Sequence, residues 1–186
     1  MNEYLILVDE QDKPWGKLEK QLVHQLGLLH RAFSVFIFNT KGELLMQQRA
    51  EGKYHSAGLW TNTCCSHPQF GEDISDAIPR RLKEELGMHC ETFFAFSFTY
   101  RTTFENGLTE HEFDHVYLGI TDQLPTPDHS EVKEWNYMDL HALELDILLQ
   151  PENYTEWMKQ CFPMVCQYID EKTKNGLLKF TSHVSI

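Results

Sequence analysis

The segment Trp60-Thr61-Asn62-Thr63-Cys64-Cys65-Ser66-His67-Pro68-Gln69 sets a thiol two positions before an imidazole. In an extended chain alternate side chains share a face, so Cys65 and His67 point one way while Cys64 and Ser66 point the other. Cys65 is therefore the candidate reactive thiol. Pro68 cannot donate to a ladder and ends the strand, and Gln69 to Gly71 turn the chain into a helix. Taken alone, both cysteines also suit small core positions and His67 a polar strand end. Two further groups of residues favour chemistry.

The first is Glu110-His111-Glu112-Phe113-Asp114-His115-Val116-Tyr117. Strand alternation sends Glu110, Glu112 and Asp114 to one face and His111, Phe113 and His115 to the other. Side-by-side carboxylates repel unless a cation or a shared proton compensates. A wet acidic edge strand would meet that demand with solvent. A metal would meet it with His24, His30 and His67, whose imidazoles complete a nitrogen and oxygen ligand set. The second group is the helix after His67, where Arg80-Arg81-Leu82-Lys83-Glu84-Glu85 allows i, i+4 pairs between Arg80 and Glu84 and between Arg81 and Glu85. On the functional reading, Glu85 offers a hard oxygen to Mg2+, which bridges to substrate phosphate.

These residues must be positioned by a strand-rich first half and a helical end. Glu3 to Val8 reads as a strand before the turn Asp12 to Gly16, and Ala32 to Phe38 joins Glu43 to Gln48 as a hairpin through Asn39-Thr40-Lys41-Gly42. A helix is predicted from about Ser75 to Leu86, closed by Gly87, with Pro79 near its first turn. Thr92 to Arg101 and Glu110 to Ile120 form a second strand pair across Glu105-Asn106-Gly107. Helices are predicted at Leu140 to Leu149 and Tyr154 to Lys174, the second kinked or interrupted at Pro163. Strands flanked by helices make an α+β layered domain.

The 186 residues, 41% apolar and 12% aromatic, suit one domain spanning 1–186. A net charge of -12 argues against a nucleic-acid partner. Met1-Asn2-Glu3-Tyr4 lacks a positive region before an apolar run, no stretch approaches a membrane span, and Thr181 to Ile186 carries no recognisable address. Five cysteines without a framework of spacings fit a reducing cytoplasm.

Glu72, seven intervening residues and Arg80 to Met88 closely resemble the Nudix box, with Ser66 in place of its first glycine and Arg81 in place of the first glutamate of its Arg-Glu pair. In Nudix hydrolases that glutamate helps hold the metals of diphosphate cleavage, so a cation there argues for the scaffold without the hydrolysis. Together with Thr61 to Pro68, Tyr100, Glu110-x-Glu112 and Trp157, the chain from about Leu18 to Trp157 resembles type I isopentenyl-diphosphate delta-isomerases. The resemblance implies a Nudix-like fold, a mixed β-sheet layered between α-helices. It implies the interconversion of isopentenyl and dimethylallyl diphosphates, small prenyl diphosphate substrates, without membrane insertion.

By the same resemblance Cys65 and Glu112 are the catalytic pair, with Tyr100 beside Glu112 and Trp157 facing a carbocation. His24, His30, His67, Glu110 and Glu112 match a site for one divalent metal, Mn2+, Zn2+ or Mg2+. Glu85 matches the ligand of an Mg2+ that arrives with the diphosphate, and Lys20, Arg49, Lys53 and Arg81 match the basic residues around the phosphates. The chemistry explains the residue types, since an unactivated alkene is a poor base and its shift needs a positioned acid and a positioned acceptor. Two other readings carry fewer of these features: a Nudix diphosphohydrolase acting on a nucleoside or prenyl diphosphate, opposed by Arg81, and a non-catalytic metal-binding or interaction domain, in which the histidines, cysteines and acidic strand serve structure or sensing; neither requires Cys65, the paired glutamates and Trp157 together.

Overall fold

The computed structural model describes residues 3–180; Met1, Asn2 and the C-terminal hexapeptide Thr181 to Ile186 lie outside the described residues. The strands are β1 (Tyr4–Val8), β2 (Pro14–Glu19), β3 (His30–Phe38), β4 (Leu44–Arg49), β5 (Trp60–Thr61), β6 (Cys64–Ser66), β7 (Thr92–Thr103), β8 (Thr109–Ile120) and β9 (Val132–Met138). The helices are α1 (Lys20–Leu26), α2 (Ile74–Leu86), α3 (Leu140–Leu149) and α4 (Glu156–Lys174). The architecture is the expected α+β mixed sheet between helices.

The organising strand is β3. It runs antiparallel to β1, β4 and β6 and parallel to β8, with His30 opposite Glu112 and Phe38 opposite Ile120. Phe33, Val35 and Ile37 alternate with Phe36 and Phe38, so β3 is apolar on both faces, the mark of a strand covered on both sides. One face packs Phe33, Val35 and Ile37 on Ala77, Ile78, Leu82 and Leu86 of α2. The other packs Phe36 and Phe38 with Met158, Phe162 and Val165 of α4 and Leu143 of α3. β8 lies between β3 and β7, which removes the edge-strand reading of its acidic residues. Glu110, Glu112 and Asp114 are buried, whereas His111, Phe113 and His115 are half-buried on the opposite face.

The short elements were the ones hidden in the sequence. Pro14 to Gly16, expected as a turn, belong to β2, because Pro14 at the strand's first position needs no donor and Gly16 pairs with Leu7. α1 was not expected. The Glu19 carboxylate accepts from the Leu22 amide at 3.0 Å, and Gly27 closes the helix with φ of 62°. β9, not expected from the sequence, is a partly exposed strand added to β4. Pro79 stands in the second turn of α2 rather than the first, where both it and Ser75, whose carbonyl it frees, are exposed. α4 begins at Glu156 and continues through Pro163, also on its exposed side. Among the described residues, no helix is long and apolar enough to cross a membrane.

Candidate active site

Three imidazoles and two carboxylates meet where α1, β3, β6 and β8 come together. His24 sits on α1, His30 opens β3, His67 follows β6, and Glu110 and Glu112 come from the inner face of β8. One donor atom from each of His24, His30, His67 and Glu110 falls within 4.8 Å of all the others. Glu112 adjoins them, its Oε1 lying 2.8 Å from His67 Nε2 and 3.6 Å from His30 Nε2. His24 Nδ1 lies 2.6 Å from the Lys20 carbonyl and His30 Nδ1 2.9 Å from the Leu28 carbonyl. In a neutral ring those contacts hold the proton on each Nδ1 and turn the Nε2 lone pair inward, where it can bind a cation; a protonated ring donates from Nε2 to the carboxylates instead. His30 Nε2 then meets His67 Nε2 at 3.2 Å and carboxylate oxygens on two sides. A buried convergence of acceptors is what a divalent cation relieves, and the donor set fits one.

Without an ion, protons shared between the imidazoles and the carboxylates offset their burial. Burial pushes Glu110 upward, but hydrogen bonds from His24 and His55 outweigh it and hold its carboxyl well below the usual range. Burial and the Glu110 charge likewise raise Glu112, and contacts from His30 and His67 bring it below normal. His24 is raised because Glu110 outweighs its burial, whereas burial lowers His67.

Cys64 and Cys65 part as alternation requires. Cys64 is buried in the apolar layer under α2, and Cys65 lines the cavity with His67. Asn62 fixes the direction of the thiol: its amide donates to the Val35 and Cys64 carbonyls, both at 3.1 Å, so its Oδ1 accepts from Cys65 Sγ at 2.7 Å. Thr61 donates to the same Oδ1 and receives the Trp157 indole N–H at 2.8 Å. Ser34 Oγ lies 3.6 Å from Cys65 Sγ and donates to Asp114 at 2.7 Å. Burial and the Asp114 charge push the Cys65 thiol up to about 12. On the other side, Tyr100 faces Glu112 across the β7–β8 pairing and donates to its Oε2 at 2.7 Å.

Lys20, Arg49, Lys53 and Arg81 all line the same cavity. Each has an anionic or carbonyl partner. Lys20 lies 3.0 Å from Glu3, Lys53 pairs with Glu131, and Arg49 donates to the His55 and Ser56 carbonyls. Arg81 binds Glu84, Glu85 and Glu131, and the buried Glu85 also accepts from Gln47 at 3.0 Å. Both expected i, i+4 pairs on α2 form, with Arg80 3.1 Å from Glu84. The Arg49 guanidinium lies over the Trp157 ring, 5.2 Å from its centre.

Sequence reasoning missed His55, whose Nε2 lies 2.7 Å from Glu110 Oε1, and Asn62 and Ser34 as partners of Cys65. The residue types of Asn62 and Ser34 carried no mark of that contact. His55 lies in an irregular loop without periodicity, so only its residue type was a signal.

Residues 28–163 match the NUDIX domain model. The chain is 49% identical over 165 residues to isopentenyl-diphosphate Delta-isomerase 2 of Aromatoleum aromaticum, an alignment covering 89% of this chain and 87% of that one. The chain belongs to the isopentenyl-diphosphate Delta-isomerase family of Nudix proteins. It is also 48% identical over 164 residues to the isopentenyl-diphosphate Delta-isomerase of Pectobacterium atrosepticum, covering 88% of this chain and 92% of the relative. A solved Deinococcus radiodurans structure shares the fold at a TM-score of 0.72 and 20% identity, over 87% of this chain and 98% of its own. The Nudix helix α2 is thus retained with Arg81 at the departing position of the box, its guanidinium held by three glutamates.

Proposed function

We propose that the protein interconverts isopentenyl diphosphate and dimethylallyl diphosphate, acting as a single domain in a reducing cytoplasm. The observation that carries the reading is the pairing of a half-buried, cavity-lining thiol with a tyrosine-supported carboxylate around one imidazole. His67 follows Cys65 by two residues and lies against Glu112, while β6 and β8 flank β3 on either side. The relatives' isomerase name supports the same chemistry. All five cysteines are free thiols, in keeping with the compartment.

The reaction adds a proton to the terminal methylene of the alkene, which leaves a tertiary cation. It then removes a proton from the methylene next to the carbon that carries the diphosphate. Cys65 and Glu112 are the two proton-carrying groups, and they exchange roles when the reaction reverses. Asn62 directs the Cys65 thiol, and Tyr100 holds Glu112 by a charge-assisted hydrogen bond. The Trp157 face offers the cation an attraction of about 2 kcal/mol when water is excluded. Lys20, Arg49, Lys53 and Arg81 exchange their present partners for phosphate oxygens, which anchors the substrate by the end that does not react. His24, His30, His67, Glu110 and Glu112 would hold one divalent ion, Mn2+, Zn2+ or Mg2+, and Glu85 an Mg2+ on the diphosphate, supplying fixed positive charge beside the reacting groups and the phosphates.

Incubating isopentenyl diphosphate with the protein and Mg2+ tests the proposal. Dimethylallyl diphosphate must accumulate without release of phosphate or prenyl monophosphate. Hydrolysis with the alkene unmoved would make the protein a hydrolase, and Arg81 would lose the discriminating role given to it.

A further inference from the structure

His55 belongs to the loop between β4 and β5, yet its side chain is only 4% exposed. Three aromatic groups fix its plane. It stacks on Phe104 with ring centres 4.8 Å apart and 13° between planes, and meets Tyr54 and Trp157 edge-on at 4.4 Å and 5.9 Å. Its Nε2 lies 2.7 Å from Glu110 Oε1, and its Nδ1 lies 3.3 Å from the Ser56 hydroxyl. A neutral ring protonated on Nε2 satisfies both contacts, accepting from Ser56 and donating to Glu110.

Glu110 therefore divides its two oxygens. Oε2 faces the imidazole cluster, 3.1 Å from His24 Nε2 and 3.7 Å from His30 Nε2, while Oε1 is held from outside by His55. Glu112 reaches the inward imidazole nitrogens of His67 and His30 at 2.8 and 3.6 Å, whereas His55 Nε2 meets the cluster through the outer oxygen of Glu110. A carboxylate that binds a metal through one oxygen is commonly oriented by a donor on the other, and that donor raises affinity without touching the ion. We propose that His55 is a positioning residue for the metal centre, fixing Glu110 so that only Oε2 is presented to a divalent cation. The main chain of His55 adds a link to the anion-binding side, since its carbonyl accepts from Arg49 Nη2 at 3.2 Å. The loop that carries Lys53 is thus joined through one residue to both halves of the site.

The inference rests on the metal-binding reading of the His24, His30, His67 and Glu110 cluster, and the test separates the two. Metal-stripped protein would be titrated with Mn2+ and with Co2+ against a chromogenic chelator, and the visible spectrum of the Co2+ form recorded. His55→Phe keeps the ring stacked on Phe104 but deletes the donor, and its dissociation constant should rise about 10- to 100-fold. His55→Gln keeps an N–H donor and should recover most of that loss. The Co2+ bands should keep their energies in both variants, because the ligands are unchanged. Equal affinity in His55→Phe and the parent would overturn the inference while leaving the metal site intact. A shift in the Co2+ bands would overturn it too, by making His55 a ligand. Failure of the parent protein to bind either ion would sink the metal reading itself.

Discussion

Tyr100→Phe removes one atom from the site and leaves the fold untouched. The ring at position 100 stacks on Phe98 with centres 5.7 Å apart, a contact that phenylalanine preserves. The lost hydroxyl donates at 2.7 Å to Glu112 Oε2, with Tyr100 only 4% exposed, so water cannot readily replace it. A hydrogen bond to a buried charged group contributes about 1.5–3 kcal/mol. If that energy is expressed in the transition state, at about 1.36 kcal/mol for each factor of ten, kcat should fall about 10- to 150-fold. KM should change little, because none of the four cations that line the cavity contacts Tyr100. The assay is the initial rate of dimethylallyl diphosphate formation at saturating substrate, with a urea melt to confirm that the variant is folded. A kcat within twofold of the parent would refute the support role of Tyr100 and weaken Glu112 as a proton carrier.

Three other expectations follow from the same contacts. Trp157→Phe keeps an aromatic face but loses the stronger quadrupole and the N–H donated to Thr61; kcat should drop about tenfold with KM nearly constant, and an unchanged kcat would remove Trp157 from cation stabilisation. Removing divalent metal with a chelator should abolish turnover, and restoring an ion at about 100 times its dissociation constant should stabilise the fold by about 2.7 kcal/mol, read as a higher melting temperature; equal melting temperatures would contradict a metal centre. Hydrogen bonds from Arg80 hold Glu72 below its normal carboxyl range against a small opposing effect of burial. A lowered folded-state value gives stability that is present above the unfolded-state value of about 4.3 and is lost as pH falls through the folded one. Glu72→Gln should thus be less stable than the parent at pH 7, the gap closing in acid; a gap independent of pH would show that the charge is not responsible.

Much of the site was legible because its signals are periodic. Alternation alone separates Cys65 from Cys64, and it puts Glu110, Glu112 and Asp114 on one face of β8. Helical spacing likewise anticipated the pairs of Arg80 with Glu84 and Arg81 with Glu85. What alternation could not tell is whether β8 was a wet edge or an inner strand, since that depends on β3, distant in sequence, pairing with the side that the β7–β8 hairpin leaves open. α1 escaped notice because seven residues are too few to show a helical period; its stability comes from the Glu19 cap and the burial of Val23 and His24. β9 escaped because its polar residues report only an open side, while its pairing with β4 is a tertiary fact. His55 is the sharpest case. Its place beside Glu110 is set by Phe104, Tyr54 and Trp157 closing around an irregular loop, and no local pattern encodes that.

Two protein groups that carry protons to and from the substrate exchange them with solvent, and proton NMR of isopentenyl diphosphate turning over in D2O reads that exchange. Deuterium should enter the methyl group formed from the terminal methylene, and the carbon next to the one bearing the diphosphate as the reaction runs back and forth. A double bond that moves while the product stays free of deuterium would mean a direct internal transfer, and would contradict the roles of Cys65 and Glu112.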